Sequence, residues 1–432
     1  MEIKVENAPK KLIDAAGRVY VSFCDILSFI RNPKARADGT FPSIPGDFVP
    51  ETQFLVCSDI HNRFDRFRDM FAMAHEQLSG TAYEKIDAVL VAGDFTDSGK
   101  SEDIKSFYDA VLECCGSKTV PVICLGNHEY HSSGADVRER YEKITGWTPE
   151  VHKVINGLHF IGVSYSDVET FDKKTQSWMT GQFDIAHADT PRKPIFVIQH
   201  PHPTATVYGS VNWGQKEILK PLKRYPNIID FSGHSHYPVN DPRSIYQGGF
   251  TAVGAGGLKY YELEMNLNAG FFPEEEESQG NFWIVGVDKN GAVALRAYDT
   301  YSGGAYENIS YYIEKPWDKA SFRYTHRNFV KAEGKPRFPS GAKITFEKDE
   351  DGNTLVCFPK ADDRFIVHDY GIRITKGAKT VYRKTVLSDY YYRNEPDTYK
   401  INVGKLTGTG YKACVIACNA YYKESKILKA TL

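Results

Sequence analysis

The chain has 432 residues, too many for one ordinary core and enough for two or three domains. Its 41% apolar and 25% charged content is that of a globular protein, and a formal net charge of -2 gives no general attraction to nucleic acid or to an anionic membrane. No apolar run is long enough to span a bilayer, so no membrane partner is expected. The opening stretch MEIKVENAPKKLIDAAG has no apolar h-region and no cleavage site. A cytoplasmic location is therefore expected, or a secreted one if a leader has been removed. The eight cysteines include Cys57, Cys124, Cys414 and Cys418 inside apolar runs, and no CxxC pair occurs. They read as buried small hydrophobes in a reducing compartment.

Residues 1–50 form an N-terminal extension whose role is open. RVYVSFCDILSFI predicts a strand and a short helix, and GTFPSIPGDFVP predicts a loop. TQFLVCSD then predicts a buried strand. Phe64, Phe67, Phe71, Ala74 and Leu78 recur at helical spacing, so RFDRFRDMFAMAHEQL is an amphipathic helix. IDAVLVAGD is a second strand. SEDIKSFYDAVLECC is a helix with Ser101 as its expected N-cap, and VPVICLGNHE is a third strand. HFIGVSYSD, PIFVIQH and NIIDFSGHSH follow as further strands. Apolar strands alternating with helices mean a sheet covered on both faces. FWIVGVDKNGAVALRAYD reads as a hairpin closing this first domain near residue 313, and the EEEE run before it as a solvated loop. Residues 314–340 read as a linker packing on its neighbours. From 341 to 432 the pattern changes to alternating strands and turns, an all-β sandwich.

The strand ends carry the chemistry. The first gives Asp59 and His61, the second Asp94 and Asp97, and the third Asn127, His128 and Glu129. Later ends give His200 with His202, and His234 with His236. Helical crossovers place the carboxyl ends of such strands along one edge, where ligands bind. Imidazole binds transition metals and carboxylates bridge or balance them. In Asp-x-His and His-x-His on extended backbone, i and i+2 point the same way. Gly93, Gly126 and Gly233 allow tight turns and close backbone approach. The set is too large for one ion and about right for two, an arrangement suited to in-line phosphoryl displacement. His200, directly after IFVIQ, is preferred over His202 as a ligand, leaving His202 for substrate. Glu129 reads as a loop anchor.

In this order Asp-x-His, Gly-Asp-x-x-Asp, Gly-Asn-His-Glu, His and Gly-His-x-His resemble the calcineurin-like metallophosphoesterase superfamily, over about residues 52–300. The resemblance implies a four-layer α/β/β/α sandwich at 51–313, ahead of the all-β sandwich that the strand pattern predicts at 341–432. It implies two divalent or transition metal ions (Mn, Fe or Zn). Asp59, His61 and His236 would hold the first metal, Asn127, His200 and His234 the second, and Asp94 would bridge. A hydroxide held by the metals would attack phosphorus in line, His128 would protonate the leaving oxygen, and the Asp97 carboxylate would orient His128. Where purple acid phosphatases carry a tyrosine three residues past the bridging aspartate, this chain has Asp97, which implies a colourless centre. Protein Ser/Thr phosphatases carry Arg-Gly where Ser98-Gly99 stands here, and arginine where Leu125 stands, which counts against phosphoprotein substrates.

The implied activity is hydrolysis of small phosphate mono- or diesters. The rivals are a nuclease of the same superfamily, which would need a basic track, and a binding or adhesion protein with a vestigial centre. No nucleic-acid partner is expected. KLTGTGYKACVIACNAYYKES weakly resembles late strands of a fibronectin type III module, with Leu406 and Tyr411 at the corner positions. Such a module is the part expected to meet a protein or carbohydrate partner, although Tyr390–Tyr392 read as core and rim rather than as a sugar platform.

Overall fold

A computed structural model describes residues 20–24, 26–28, 30–132, 136–265, 268–273 and 280–432. It divides into two compact units, one of Leu27–Glu264 with Ala269–Phe329, the other built mainly from Val330–Leu432.

The larger unit holds two six-stranded sheets. In the first, Thr52–Cys57, Ala88–Ala92 and Val120–Cys124 run parallel. Asn281–Val287, Val293–Asp299 and Gly304–Ile313 continue it antiparallel beyond Thr52–Cys57, so the DKNG hairpin extends this sheet. In the second, Leu158–Val163, Ile195–Gln199, Ile228–Ser232 and Thr251–Gly254 are parallel neighbours, with an antiparallel strand at each edge. The strand ends singled out above thus come from two sheets, not one.

Side-chain alternation decides what lies between them. Phe54 meets Phe196 at 4.7 Å, Phe160 at 5.2 Å and Phe231 at 6.3 Å between ring centroids, which joins the sheets face to face. Its neighbour Leu55 points the other way, into a cluster with Phe67, Phe71, Ile104 and Phe107 of helices Phe64–Leu78 and Ser101–Cys115. Ile161, Val163 and Val197 likewise join Met179 and Phe183 of helix Lys173–Asp189. The order is helix, sheet, sheet, helix.

The C-terminal unit pairs a three-stranded with a four-stranded antiparallel sheet. Val356, Phe358 and Tyr399 of one meet Tyr370, Ile372, Ile374, Ala413 and Val415 of the other. Leu406 packs on this core, and Tyr411 Oη donates to the Thr407 carbonyl at 3.1 Å. Tyr390 and Tyr391 are buried.

Several local expectations change. Residues 20–24 are helical where a strand was expected. Ser101 is the first residue of its helix; the cap position is Lys100, whose side chain caps nothing. The strand before GNHE stops at Cys124, and Asn127–Tyr130 is one helical turn, because Glu129 folds back to accept from the Gly126 N–H at 2.7 Å. The stretch read as a linker includes helix His326–Ala332 and the fully buried Tyr324, whose N–H donates to Gln247 Oε1 at 3.0 Å. No disulfide joins any of the eight cysteines. The glutamates of the expected loop lie outside the described residues. Among the described residues no helix is long and apolar enough to cross a membrane.

Candidate metal centre

Every expected ligand comes from a strand end, but the backbone there is not extended. Asp59, His61, Asp94, His234 and His236 all have positive φ, between 44° and 69°. Non-glycine residues in this region cost on the order of 1–3 kcal/mol each and persist where surrounding structure enforces them. The left-handed turns, rather than the i and i+2 alternation of a strand, turn Asp59 with His61, and His234 with His236, into one place.

Glycines make the close approaches possible. A Cβ on Gly233 would collide with Ser58 Oγ and Asp59 Oδ2, and one on Gly126 with Asp94 Oδ1. Glu129 is buried and accepts from the N–H of Asp94 (3.0 Å), Thr96 (2.8 Å) and Gly126. It therefore ties the second and third strand ends together. Burial, then the neighbouring Asp94, pushes its carboxyl up to about 8.

Among the described residues, three groups of possible ligand atoms form: Asp59, His61 and His236; Asp94, His200 and His234; and His61, Asp94 and His128. Asp94 Oδ2 lies 3.0 Å from His200 Nε2, 3.9 Å from His61 Nε2 and 4.0 Å from His128 Nε2, so one oxygen faces all three groups' surroundings. Asp59 Oδ1 lies 3.1 Å from His236 Nε2 and 3.9 Å from His61 Nε2.

The histidine tautomers follow from the outer nitrogens. His200 Nδ1 faces the Ala92 carbonyl at 2.7 Å, His236 Nδ1 the Tyr260 carbonyl at 3.2 Å, and His61 Nδ1 the Asp97 carboxylate at 3.3 Å. Carbonyls and carboxylates only accept, so each Nδ1 carries a proton and each Nε2 lone pair points inward. The Nε2 atoms of His61 and His236 are then 3.2 Å apart. Two lone pairs that close, beside two buried carboxylates, need a cation or an extra proton between them. Without a cation the site draws in protons. Burial opposes charge on His61 and His200, yet Asp59, Asp97 and Asp94 raise them to about 10 and about 9. Among the described residues, no hydrogen bond reaches Asp59 Oδ1, Asn127 Oδ1 or His200 Nε2, although all three are buried. The donor set thus fits bound metal.

Two expectations need correction. The Asp97 carboxylate does not hold His128. It contacts His61 Nδ1, Asn62 Nδ2 at 3.2 Å and Lys259 Nζ at 3.1 Å, while His128 Nδ1 donates to the Asp97 backbone carbonyl at 2.9 Å. The helical turn at 127–130 sets His128 against backbone, leaving the carboxylate free to swing to His61. Burial depresses the His128 imidazole, with Asp94 opposing that shift. His202 does not face substrate: Ser232 Oγ (2.8 Å) and Ser235 Oγ (2.6 Å) take both ring nitrogens, and burial holds it neutral, down to about 3. Arg63 forks onto Asp65, and Tyr130 is buried with its hydroxyl donating to the Tyr165 carbonyl.

Lys259 and Tyr260 were not anticipated. The Leu258 N–H donates to the Ser58 carbonyl at 3.1 Å and the Lys259 N–H to that of Asp59 at 3.2 Å, which delivers both residues to the site. Tyr260 stacks on His236 with centroids 4.0 Å apart. GLKYY carries no motif that could have announced this.

Residues 52–238 match the family Calcineurin-like phosphoesterase. A UPF0046 protein of Caenorhabditis elegans is 23% identical over 222 residues, covering 46% of this chain and 69% of its own. A purple acid phosphatase from yellow lupin (Lupinus luteus) seeds superposes with a TM-score of 0.44 at 13% identity. That match covers 64% of this chain and 56% of the lupin chain. A glycosyl hydrolase family 2 member from Bacteroides cellulosilyticus gives a TM-score of 0.23 at 8% identity, covering 88% of this chain and 62% of the other.

Proposed function

We propose that the calcineurin-like phosphoesterase domain at residues 52–238, a metal-dependent phosphoester hydrolase by its family, acts on small phosphate mono- or diesters by in-line displacement. Asp59, His61 and His236 would hold one cation, Asn127, His200 and His234 a second, and Asp94 would serve both. When bound, two such cations acidify a water molecule and offset charge on the phosphoryl oxygens. The observation that carries this reading is the inward pair of Nε2 lone pairs on His61 and His236, 3.2 Å apart beside Asp59.

The chain's own groups divide the remaining work. His128 has its Nδ1–H committed to the Asp97 carbonyl, so its Nε2 is the atom available to substrate. It is the group we assign to proton transfer to the leaving oxygen. Asp97 fixes the ring of His61, and Glu129 fixes the loops bearing Asp94 and Asn127.

The test is turnover of bis-p-nitrophenyl phosphate and p-nitrophenyl phosphate by protein reconstituted with Mn²⁺, Fe²⁺ or Zn²⁺, with bound metal counted. Two ions per chain and chelator-sensitive hydrolysis are expected. Full loading with no hydrolysis of either ester would refute the reading.

A further inference from the structure

We infer that the ester's leaving group is a planar aromatic, held at the rim of the site by Tyr260 and Phe272. The inference rests on the hydrolase reading above. Four rings run outward in sequence. His61 stacks with His236 at 5.0 Å and 27°, and His236 with Tyr260 at 4.0 Å and 16°; Tyr260 meets Phe272 at 5.8 Å and 51°. The first two are metal-ligand candidates and nearly inaccessible, Tyr260 is half-buried, and Phe272 is 62% exposed. Its neighbour Phe271 is 38% exposed.

A single exposed phenylalanine on a protein surface needs no explanation. This one continues a file of rings that begins at the chemistry. A phosphorus atom at the metal centre would place its ester oxygen within reach of His128 Nε2. The group beyond that oxygen would then lie against the Tyr260–Phe272 wall, on the side of His61 and His236. An aryl or nucleobase ring laid there would cover apolar surface now facing water and gain offset or edge contacts with two rings. Stacking of a base on an aromatic side chain reads its π-face and not its hydrogen-bonding edge, so the wall would select aromatic over alkyl groups without choosing among bases. Lys259 lies one residue away. Its ammonium is paired with Asp97, which keeps that cation beside the candidate metal ligands.

The experiment uses non-hydrolysable probes on the full, metal-loaded chain: phenylphosphonate and 1-naphthylphosphonate against methylphosphonate, with affinities from calorimetry. Aryl probes should bind more tightly than methylphosphonate. Phe272→Ala should reduce that aryl-to-methyl preference by about tenfold, within the range of one stacking contact, while Phe272→Trp restores it. An equal affinity for aryl and methyl probes in the parent chain, or a preference indifferent to Phe272→Ala, would overturn the inference. These outcomes separate it from the hydrolase reading. A chain that turns over alkyl and aryl esters alike refutes the aromatic subsite alone. A chain that hydrolyses no ester yet binds naphthylphosphonate in a Phe272-dependent way refutes the hydrolase reading alone.

Discussion

Replacing Asp97 by alanine separates two roles that the sequence alone cannot distinguish. If its carboxylate oriented His128, the variant would fail in proton transfer and the loss would grow with the basicity of the leaving group. The structure puts that carboxylate 3.3 Å from His61 Nδ1 and 3.1 Å from Lys259 Nζ, and gives His128 only the backbone carbonyl, which alanine retains. Loss of such an outer partner of a metal-binding histidine typically costs 10–100-fold in metal affinity. The Asp97 side chain is 45% exposed and so is partly screened by solvent. We therefore expect the lower end, about tenfold, or about 1.4 kcal/mol.

Competition between protein and a calibrated chelator for Mn²⁺ or Zn²⁺ measures that affinity directly. Rates at limiting metal should fall by the same factor on p-nitrophenyl and alkyl esters, and saturating metal should recover most of both. Unchanged metal affinity, with a loss confined to the alkyl ester, would refute the assignment of Asp97 to His61. It would return the carboxylate to His128.

His128→Ala should show the opposite pattern: both ions retained, and a loss of about 10²–10⁴-fold on an alkyl ester that shrinks on p-nitrophenyl substrates. Asp94→Asn should lower occupancy at both metal positions in elemental analysis, because one carboxylate faces both groups of ligands. Gly233→Ala should lose metal and melt earlier, since its methyl would displace the Asp59 carboxylate; wild-type loading and Tm would show that the loop yields freely. Ending the chain near residue 315 removes Tyr324 from its buried place, so we expect a loss of roughly 3–5 kcal/mol in denaturant unfolding. Ending it after residue 332 should leave the larger unit folded.

The legibility of this protein follows how its chemistry is encoded. The ligand candidates were readable because each follows an apolar run and metal binding restricts their type to Asp, Asn and His. The helices were readable from periodicity, as with Phe67, Phe71 and Ala74. Roles carried by the outer partners were not readable. A histidine ring is held equally well by a carboxylate or by a backbone carbonyl, and only the fold decides which. Asp97 serves His61 because the 127–130 turn occupies His128 with backbone. Ser232 and Ser235 neutralise His202 from positions that any small polar residue could fill.

Tyr260 was the least legible of all. It reaches the centre because the chain at 258–259 hydrogen-bonds along the Ser58–Asp59 backbone, a pairing between segments about two hundred residues apart that depends on no side chain. Backbone-directed placement leaves no trace in composition or spacing. The same cause explains the left-handed conformation of the candidate ligands. Asp59 and His61 were expected on extended backbone, where alternation alone would align them. Instead the N–H of Asp59 donates to the Gly93 carbonyl at 3.2 Å and that of His61 to the Asp94 carbonyl at 3.0 Å, which forces the chain to turn as it leaves the strand. The candidate ligands converge because neighbouring strand ends bond to one another past the edge of the sheet. The strain that this imposes on non-glycine residues is sustained by the same bonds.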